Sequence, residues 1–241
     1  DDPNAQQLSL RLLPPLTEGH VLGTDQFGRD ILARLVWGTR LSIMVALVAT
    51  AVAATIGTIV GVIAGYAAGV IDAILMRSID VLLGFPYLVL ALAVVAILGP
   101  GLLNALIAIA IVNIPFFTRT VRGATVAQVG RDYVAAARIS GLGRGRILFG
   151  EVLPNVLPAV VTSIAATSGW MILETAGLSF LGLGTQPPDA DLGSMLADGR
   201  QVVLAAPHVA VIPGIVVVVI VLCVNVVADA LGDALDPRLE A

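Results

Sequence analysis

The chain has 241 residues, of which 58% are hydrophobic and 12% charged, and its mean hydropathy is +0.98. This composition excludes a soluble globular domain and predicts an integral membrane protein. Because every basic residue is arginine, there is no lysine for an ATP-binding P-loop or for Schiff-base or general-base catalysis, and the net charge of -4 does not favour nucleic-acid binding. His20, His208 and Cys223 are too widely spaced to predict a metal site.

The N-terminal segment, residues 1–38, is polar enough to be solvated. Near its end Asp30 can cap a short helix. Ile31 and Leu35, with Leu32 beside them, would form an apolar face of that helix. We expect the helix to lie at the membrane interface and to lead into the first span.

Five apolar stretches predict membrane-spanning helices, because about 20 helical residues cross about 30 Å of hydrocarbon. They lie near residues 41–65, 80–99, 102–118, 153–181 and 209–230. We therefore expect an all-α membrane protein whose membrane domain covers residues 39–230.

The first span carries small residues at a spacing of four, which places them on one ridge of the helix. They are Ala49, Ala53, Gly57, Gly61 and Gly65. A ridge with so little side chain predicts close contact with another helix. A neighbouring helix of the same chain is favoured over a subunit interface.

Arginines indicate the orientation of the chain, since cytoplasmic loops carry an excess of basic residues. The loop between the third and fourth spans holds Arg119, Arg122, Arg131, Arg138, Arg144 and Arg146. The loop between the fourth and fifth spans holds a single arginine, Arg200. We expect the six-arginine loop, the turn at 66–79 with Arg77, and the C-terminal tail at 231–241 to be cytoplasmic.

Five spans with a cytoplasmic C-terminus place Asp1 on the opposite side of the membrane. The chain opens on DDPNAQQ, which has neither the basic region nor the apolar core of a cleavable signal peptide. We therefore expect the complete protein to have one more span before Asp1.

The fourth span carries a polar stripe at helical spacing. Its members are Ser163, Thr167, Trp170 and Glu174. Because a charged side chain is costly in hydrocarbon, the stripe predicts one wall of a hydrophilic translocation path; the alternative is a hydrogen bond from Glu174 to a neighbouring helix. Asn113, beside Pro115 in the third span, is a second candidate, for which an ordinary interhelical hydrogen bond is an equal alternative.

The segment between the last two spans reads GLGTQPPDADLGSMLADGR. Pro187 and Pro188 end the preceding helix, and Asp191 can cap a short helix over about residues 190–202. The apolar face of that helix is formed by Leu192, Met195 and Leu196. We expect it to pack against the membrane domain or against a partner.

The stretch RDYVAAARISGLGRGRILFGEVLPNVLP, residues 131–158, predicts a short cytoplasmic helix. Asp132 can serve as its N-cap and Gly141 as a left-handed C-cap. The small side chains of Ala135, Ala136 and Ala137 would allow close approach to another protein. Carboxylates of that protein could pair with Arg138, Arg144 and Arg146. The alternative is a solvated loop whose arginines serve only to orient the chain.

This stretch resembles the coupling segment of importer-type ABC permeases, in which Glu-Ala-Ala is followed by glycine and later by Leu-Pro. The matching positions are Ala135-Ala136-Ala137, Gly141 and Leu153-Pro154, with Ala135 standing where many members have glutamate. Four further stretches, LGTDQFGRDILARLVWGTR, LSFLGLGTQPP, GSMLADGR and DALDPR, are similar to the dipeptide/oligopeptide/nickel permease family, specifically its C-type subunit. The resemblance covers essentially the whole chain.

The resemblance implies a type I ABC importer transmembrane domain over residues 39–230, with a coupling helix at about 131–146. Expected partners are a B-type permease, two ATPase subunits that bind ATP and magnesium, an extracytoplasmic substrate-binding protein and membrane lipid. The chain itself would hold no cofactor and catalyse no reaction, and it would reside in a bacterial inner membrane. The helix at 190–202 would form an outer gate or a binding-protein contact. A nickel or other small-solute permease and a non-transporting membrane scaffold remain as alternatives.

Overall fold

The computed structural model describes residues 2–235, and this part of the chain is helical, with β-structure limited to two isolated bridges. Its helices are α1 (Ile31–Ala67), α2 (Gly69–Leu83), α3 (Tyr87–Leu98), α4 (Leu102–Val129), α5 (Asp132–Ile139), α6 (Arg144–Ile147), α7 (Leu153–Phe180), α8 (Leu192–Val202) and α9 (His208–Leu235). Of the tail expected to be cytoplasmic, residues 236–241 lie outside the described residues.

Helix α1 is one continuous helix of 37 residues. Asp30 caps it as predicted, since its Oδ1 accepts a hydrogen bond from the Ala33 N–H at 2.8 Å. The expectation of a separate interfacial helix is wrong, because the segment containing Ile31 and Leu35 is the first part of α1. Both side chains are buried, whereas Leu32 is exposed.

The predicted span at 80–99 is interrupted. Helices α2 and α3 meet at a break of 90° around Pro86, because proline cannot continue the hydrogen bonding of the preceding helix. With 12 residues, α3 is too short to cross a bilayer alone. Within residues 2–235, four helices are long and apolar enough to span a membrane, or five if the bent pair counts as one span, and five agrees with the predicted number.

Two of the six loop arginines lie on helix α4, which extends to Val129. Arg122 donates two hydrogen bonds to Asp72, at 2.5 and 2.6 Å, and Arg119 donates one to Asp80 at 2.6 Å. Their carboxylate partners belong to α2, which occupies most of the predicted turn at 66–79. The turn was wrongly predicted because α2 is short and its polar residues face these arginines.

The glycines of the small-residue ridge pack against α4 of the same chain, which is the alternative that the sequence favoured over a subunit interface. A Cβ added to Gly57, Gly61 or Gly65 would overlap atoms of Phe117 or of its neighbours up to Thr125. Ala49 and Ala53, which continue the ridge, are completely buried. The ridge therefore brings two helix backbones together inside this protein.

The chain forms two compact units. Among the described residues, the first contains 2–49, Ala91–Ile109 and Ser168–Asn225, and the second contains Thr50–Leu90, Ala110–Thr167 and 226–235. The core of the first unit joins the start of α1 to α8 and α9. Its buried members are Ile31, Leu35, Leu192, Met195, Ala206, Val209 and Val217.

Candidate functional site

The N-terminus of α5 differs from the prediction. Asp132 is the first helical residue, and Arg131, with extended backbone angles, occupies the N-cap position. No side chain caps this end. Asp132 therefore acts only as an acidic residue in the first turn, where a negative charge is favourable to the helix dipole.

The C-terminus of α5 is closed as predicted. Gly141 has φ +77°, a left-handed conformation that favours glycine. Its N–H bonds to the Arg138 carbonyl at 3.1 Å, and the Leu142 N–H bonds to the Ala137 carbonyl at 3.2 Å. These are the two hydrogen bonds of a Schellman motif, which fixes the point where the chain leaves the helix.

One face of α5 packs into the core of the second unit. Val134 is completely buried, and Ala137 is 8% exposed. Both lie in a cluster, called here the α5 cluster, whose buried members are Val62, Val121, Val134, Ala137, Ile147, Val152, Val156 and Val160. Ala137 was expected to contact a partner, and that expectation is wrong because this alanine anchors α5 to its own chain.

The opposite face of α5 is uncovered. Ala135 and Ala136 are exposed, as expected of a contact surface, and Ile139 is 87% exposed beside them. We name these three residues the outward face of α5. Ile139 was missed from the sequence, although it follows Ala136 by three positions and so shares its side of the helix.

The arginines of this segment lie in different surroundings. Arg138 and Arg144 line a cavity of about 600 Å³, to which Tyr66 also contributes. The Tyr66 hydroxyl donates a hydrogen bond to the Arg144 carbonyl at 3.1 Å. Arg146 is exposed and is not among the residues that line this cavity.

A π-helical turn, Leu148–Val152, joins α6 to α7. It lies directly before the Leu153-Pro154 pair that the resemblance marked. Proline lacks the N–H that an α-helix would need at this point, so a local change in hydrogen bonding is expected there. Leu153 packs against the α5 cluster, whereas Pro154 is exposed.

The residues of the polar stripe in the fourth span differ in burial. Ser163 is buried and Thr167 half-buried, and each hydroxyl donates to a carbonyl of α7 itself, at 2.7 and 2.8 Å. Trp170 is 58% exposed, whereas Glu174 is 6% exposed. Asn113 on α4 is also buried. A path along these residues stays a prediction.

Helix α8 begins as predicted at Asp191. Its side chain accepts from the Ser194 N–H at 2.9 Å, and the Ser194 hydroxyl accepts from the Asp191 N–H at 3.1 Å, forming a capping box. Leu192 and Met195 are buried in the core of the first unit, and Leu196 packs against it. This agrees with the expected packing against the membrane domain and leaves Leu192 and Met195 no surface for a partner, whereas Leu196 is half-exposed. An outer gate or a binding-protein contact at this helix stays a prediction.

Two of the quoted stretches meet in the first unit through buried charges. Arg29, from LGTDQFGRDILARLVWGTR, binds Asp25 at 2.5 Å and Asp198, from GSMLADGR, at 2.9 Å. Arg34 lies 3.7 Å from the same Asp25 carboxylate. Asp25, Arg29 and Arg34 are each less than 5% exposed. This buried network ties α8 to the N-terminal segment.

Residues 57–241 match the family described as the binding-protein-dependent transport system inner membrane component. The dipeptide transport system permease protein DppC of Alkalihalophilus pseudofirmus is 46% identical over 97% of this chain and 76% of that protein. The glutathione transport system permease protein GsiD of Pectobacterium atrosepticum is 43% identical over 93% of this chain and 75% of that protein.

A solved structure of the MetNI methionine ABC transporter in an inward-facing conformation has the same fold. The TM-score is 0.69, and the alignment covers 86% of this chain and 98% of the other at 20% identity. The chain described here therefore folds as an ABC importer transmembrane domain.

Proposed function

This chain belongs to the family of binding-protein-dependent transport system inner membrane components, and on that premise we propose that it is a permease subunit of an ATP-driven importer of di- and oligopeptides. It forms half of the translocation pathway, and a B-type permease forms the other half. Two separate ATPase subunits bind ATP and magnesium and hydrolyse the ATP, while this chain catalyses no reaction. An extracytoplasmic protein delivers the peptide.

The outward face of α5 is the observation that carries the proposal. Val134 and Ala137 attach the helix firmly to the second unit, while Ala135, Ala136 and Ile139 leave an apolar patch uncovered. A solvated loop that served only to orient the chain would need neither this anchored helix nor an exposed isoleucine. A groove of an ATPase subunit is the occupant that fits, because small side chains permit deep seating and Ile139 adds apolar contact.

The orientation of the chain in the membrane follows from the docking of α5 to an ATPase subunit. The segment from α5 to α6 faces the cytoplasm, where ATP is available, and the C-terminal end of α9 lies on that side. The membrane is the inner membrane of a bacterium. ATP-driven closure of the ATPase subunits would move α5 and switch the pathway between inward-facing and outward-facing states.

Peptides are favoured over nickel as substrates because DppC and GsiD, the relatives described above, carry the names of peptide and glutathione transport systems. Uptake assays in proteoliposomes containing both permeases, the ATPases and the binding protein distinguish the two. We expect ATP-dependent uptake of a labelled dipeptide. Uptake of Ni²⁺ without dipeptide uptake would establish the nickel alternative, and no ATP-dependent uptake of either would favour a scaffold.

Ala136→Trp tests the coupling role of α5. The indole would clash with a fitted groove, and overpacking costs about 1 to 3 kcal/mol. We expect a normally inserted permease whose ATPase subunits bind weakly or hydrolyse ATP without peptide uptake, measured by co-purification and uptake. Ala205→Trp, the same change at an exposed residue after α8, should leave ATPase association unchanged. Full association and full uptake with Ala136→Trp would reject the proposed role.

A further inference from the structure

We propose that the cavity beside α5 binds the phosphate group of an anionic phospholipid from the cytoplasmic leaflet. Arg138 and Arg144 supply the positive charge of this cavity, and Ile71 and Ile147 contribute apolar surface to its lining. The inference rests on the cytoplasmic orientation proposed above for α5 and α6. It assigns the two arginines to lipid and leaves the outward face of α5 to the ATPase.

The cavity arginines differ from those of α4. Arg119 and Arg122 each bind a carboxylate of α2. Arg138 and Arg144 form no ion pair with any side chain described within residues 2–235. Two guanidinium groups that line one cavity repel each other unless an anion compensates them. A phosphate group suits them well, because its oxygens accept the paired N–H donors of guanidinium.

The position of Arg138 on the helix separates it from the outward face. It follows the buried Val134 by four residues and therefore lies close to the inward side of α5. Ala136 and Ile139 lie on the other side. A partner seated on the outward face would thus leave the cavity accessible to a different ligand.

The apolar surroundings favour a lipid over a free anion. At the start of α2, Val70, Ile71 and Ile74 are 75%, 53% and 62% exposed, and Ile71 lines the cavity itself. These positions share one side of the helix. A phospholipid would use both the arginines and this apolar strip, whereas inorganic phosphate would use only the arginines. Basic pockets between membrane helices on the cytoplasmic side are suited to anionic headgroups.

The test uses the complete importer purified in detergent with phosphatidylglycerol and phosphatidylcholine. Retained lipid is identified by native mass spectrometry, and ATPase association is measured on the same sample. We expect the wild-type complex to retain phosphatidylglycerol selectively. Arg138→Gln with Arg144→Gln should weaken retention about twenty-five-fold, since each arginine near anionic lipid contributes about fivefold. ATPase association should stay at the wild-type level.

Arg77→Gln with Arg131→Gln is the matched control, because it removes the same two charges from exposed residues that do not line the cavity. It should retain phosphatidylglycerol like the wild type. Equal retention by the cavity double variant, or displacement of the lipid by inorganic phosphate, would overturn the proposal. Loss of ATPase association in the cavity variant would also overturn it, by assigning the arginines to the ATPase interface. Dipeptide uptake is measured separately, so failure of the transport function would not be confused with failure of lipid binding.

Discussion

Helices α5 and α8 are both short helices between membrane spans, yet they differ in how much of their apolar surface is covered by the chain itself. The apolar face of α8 is covered by its own chain, and the buried network holds its far end through Asp198. Helix α5 is anchored on one side by Val134 and Ala137 but exposes Ile139 on the other. A helix whose contacts are complete within the chain serves the fold, whereas one that leaves an apolar side uncovered is available to a partner.

We therefore expect substitutions at α8 and its contacts to lower the stability of the fold, and substitutions on the outward face of α5 to change assembly alone. The common measurement is the thermal unfolding midpoint of the purified permease pair in detergent. Association with the ATPase subunits is measured alongside it.

Arg29→Ala should have the largest effect on stability. It leaves the buried Asp25 carboxylate without its closest cation, and removal of one partner of a buried ion pair typically costs about 3 to 5 kcal/mol. Arg119→Ala is the control, because that pair is about half exposed and exposed pairs contribute about 1 kcal/mol or less. Equal unfolding midpoints for the two variants would show that the network does not hold α8 in place.

Gly193→Ala should come next. A Cβ at this position would overlap the carbonyl of Ala176 on α7, and overpacking typically costs about 1 to 3 kcal/mol. Gly143→Ala is the matched control, since a Cβ there meets no atom within 4 Å. If Gly193→Ala unfolds at the wild-type temperature, α8 is not packed as tightly as the comparison requires.

Asp191→Ala should cost about 1 kcal/mol, the usual contribution of an N-cap side chain. The corresponding change on α5, Arg131→Ala, should alter the unfolding midpoint little, because no side chain caps that helix. A loss of stability with Arg131→Ala would contradict the difference between the two N-termini.

Ile139→Ser should have the smallest effect on stability, within about 0.5 kcal/mol, because the side chain is almost fully exposed. Instead, this substitution should weaken co-purification of the permease with the ATPase subunits, because the apolar contact of Ile139 is lost. By contrast, Val134→Ala should lower the unfolding midpoint, since it removes two methyl groups from a fully buried position. Normal association of Ile139→Ser would remove this residue from the docking surface.

Several features were predictable because they depend on a few neighbouring residues. Asp191 as an N-cap and Gly141 as a left-handed residue follow from local backbone chemistry. The glycines at a spacing of four, such as Gly57 and Gly61, predicted a close helix contact without identifying the partner helix, which is α4. The family resemblance predicted a short helix in the segment at about 131–146, where the structure has α5 and α6, and its coupling role stays a prediction.

Other features depended on contacts between residues far apart in the sequence. Arg122 looked like a loop arginine because its partner, Asp72, lies fifty residues earlier. Ala137 and Ala136 are equivalent in the sequence, and only the packing of α5 decides that Ala137 is buried and Ala136 exposed. The ion pair between Arg29 and Asp198 joins two stretches that are far apart in the sequence, and neither stretch by itself predicts the pairing.

The sequence by itself determined that this protein is an all-α membrane protein, where most of its helices lie, and to which family it belongs, because hydropathy, caps and motifs are local or cumulative properties of the chain. The tertiary structure decided which side of each short helix is buried, which arginines are paired and which cavity the remaining ones line. These outcomes depend on the directions in which side chains approach one another after folding, and a one-dimensional pattern does not contain those directions.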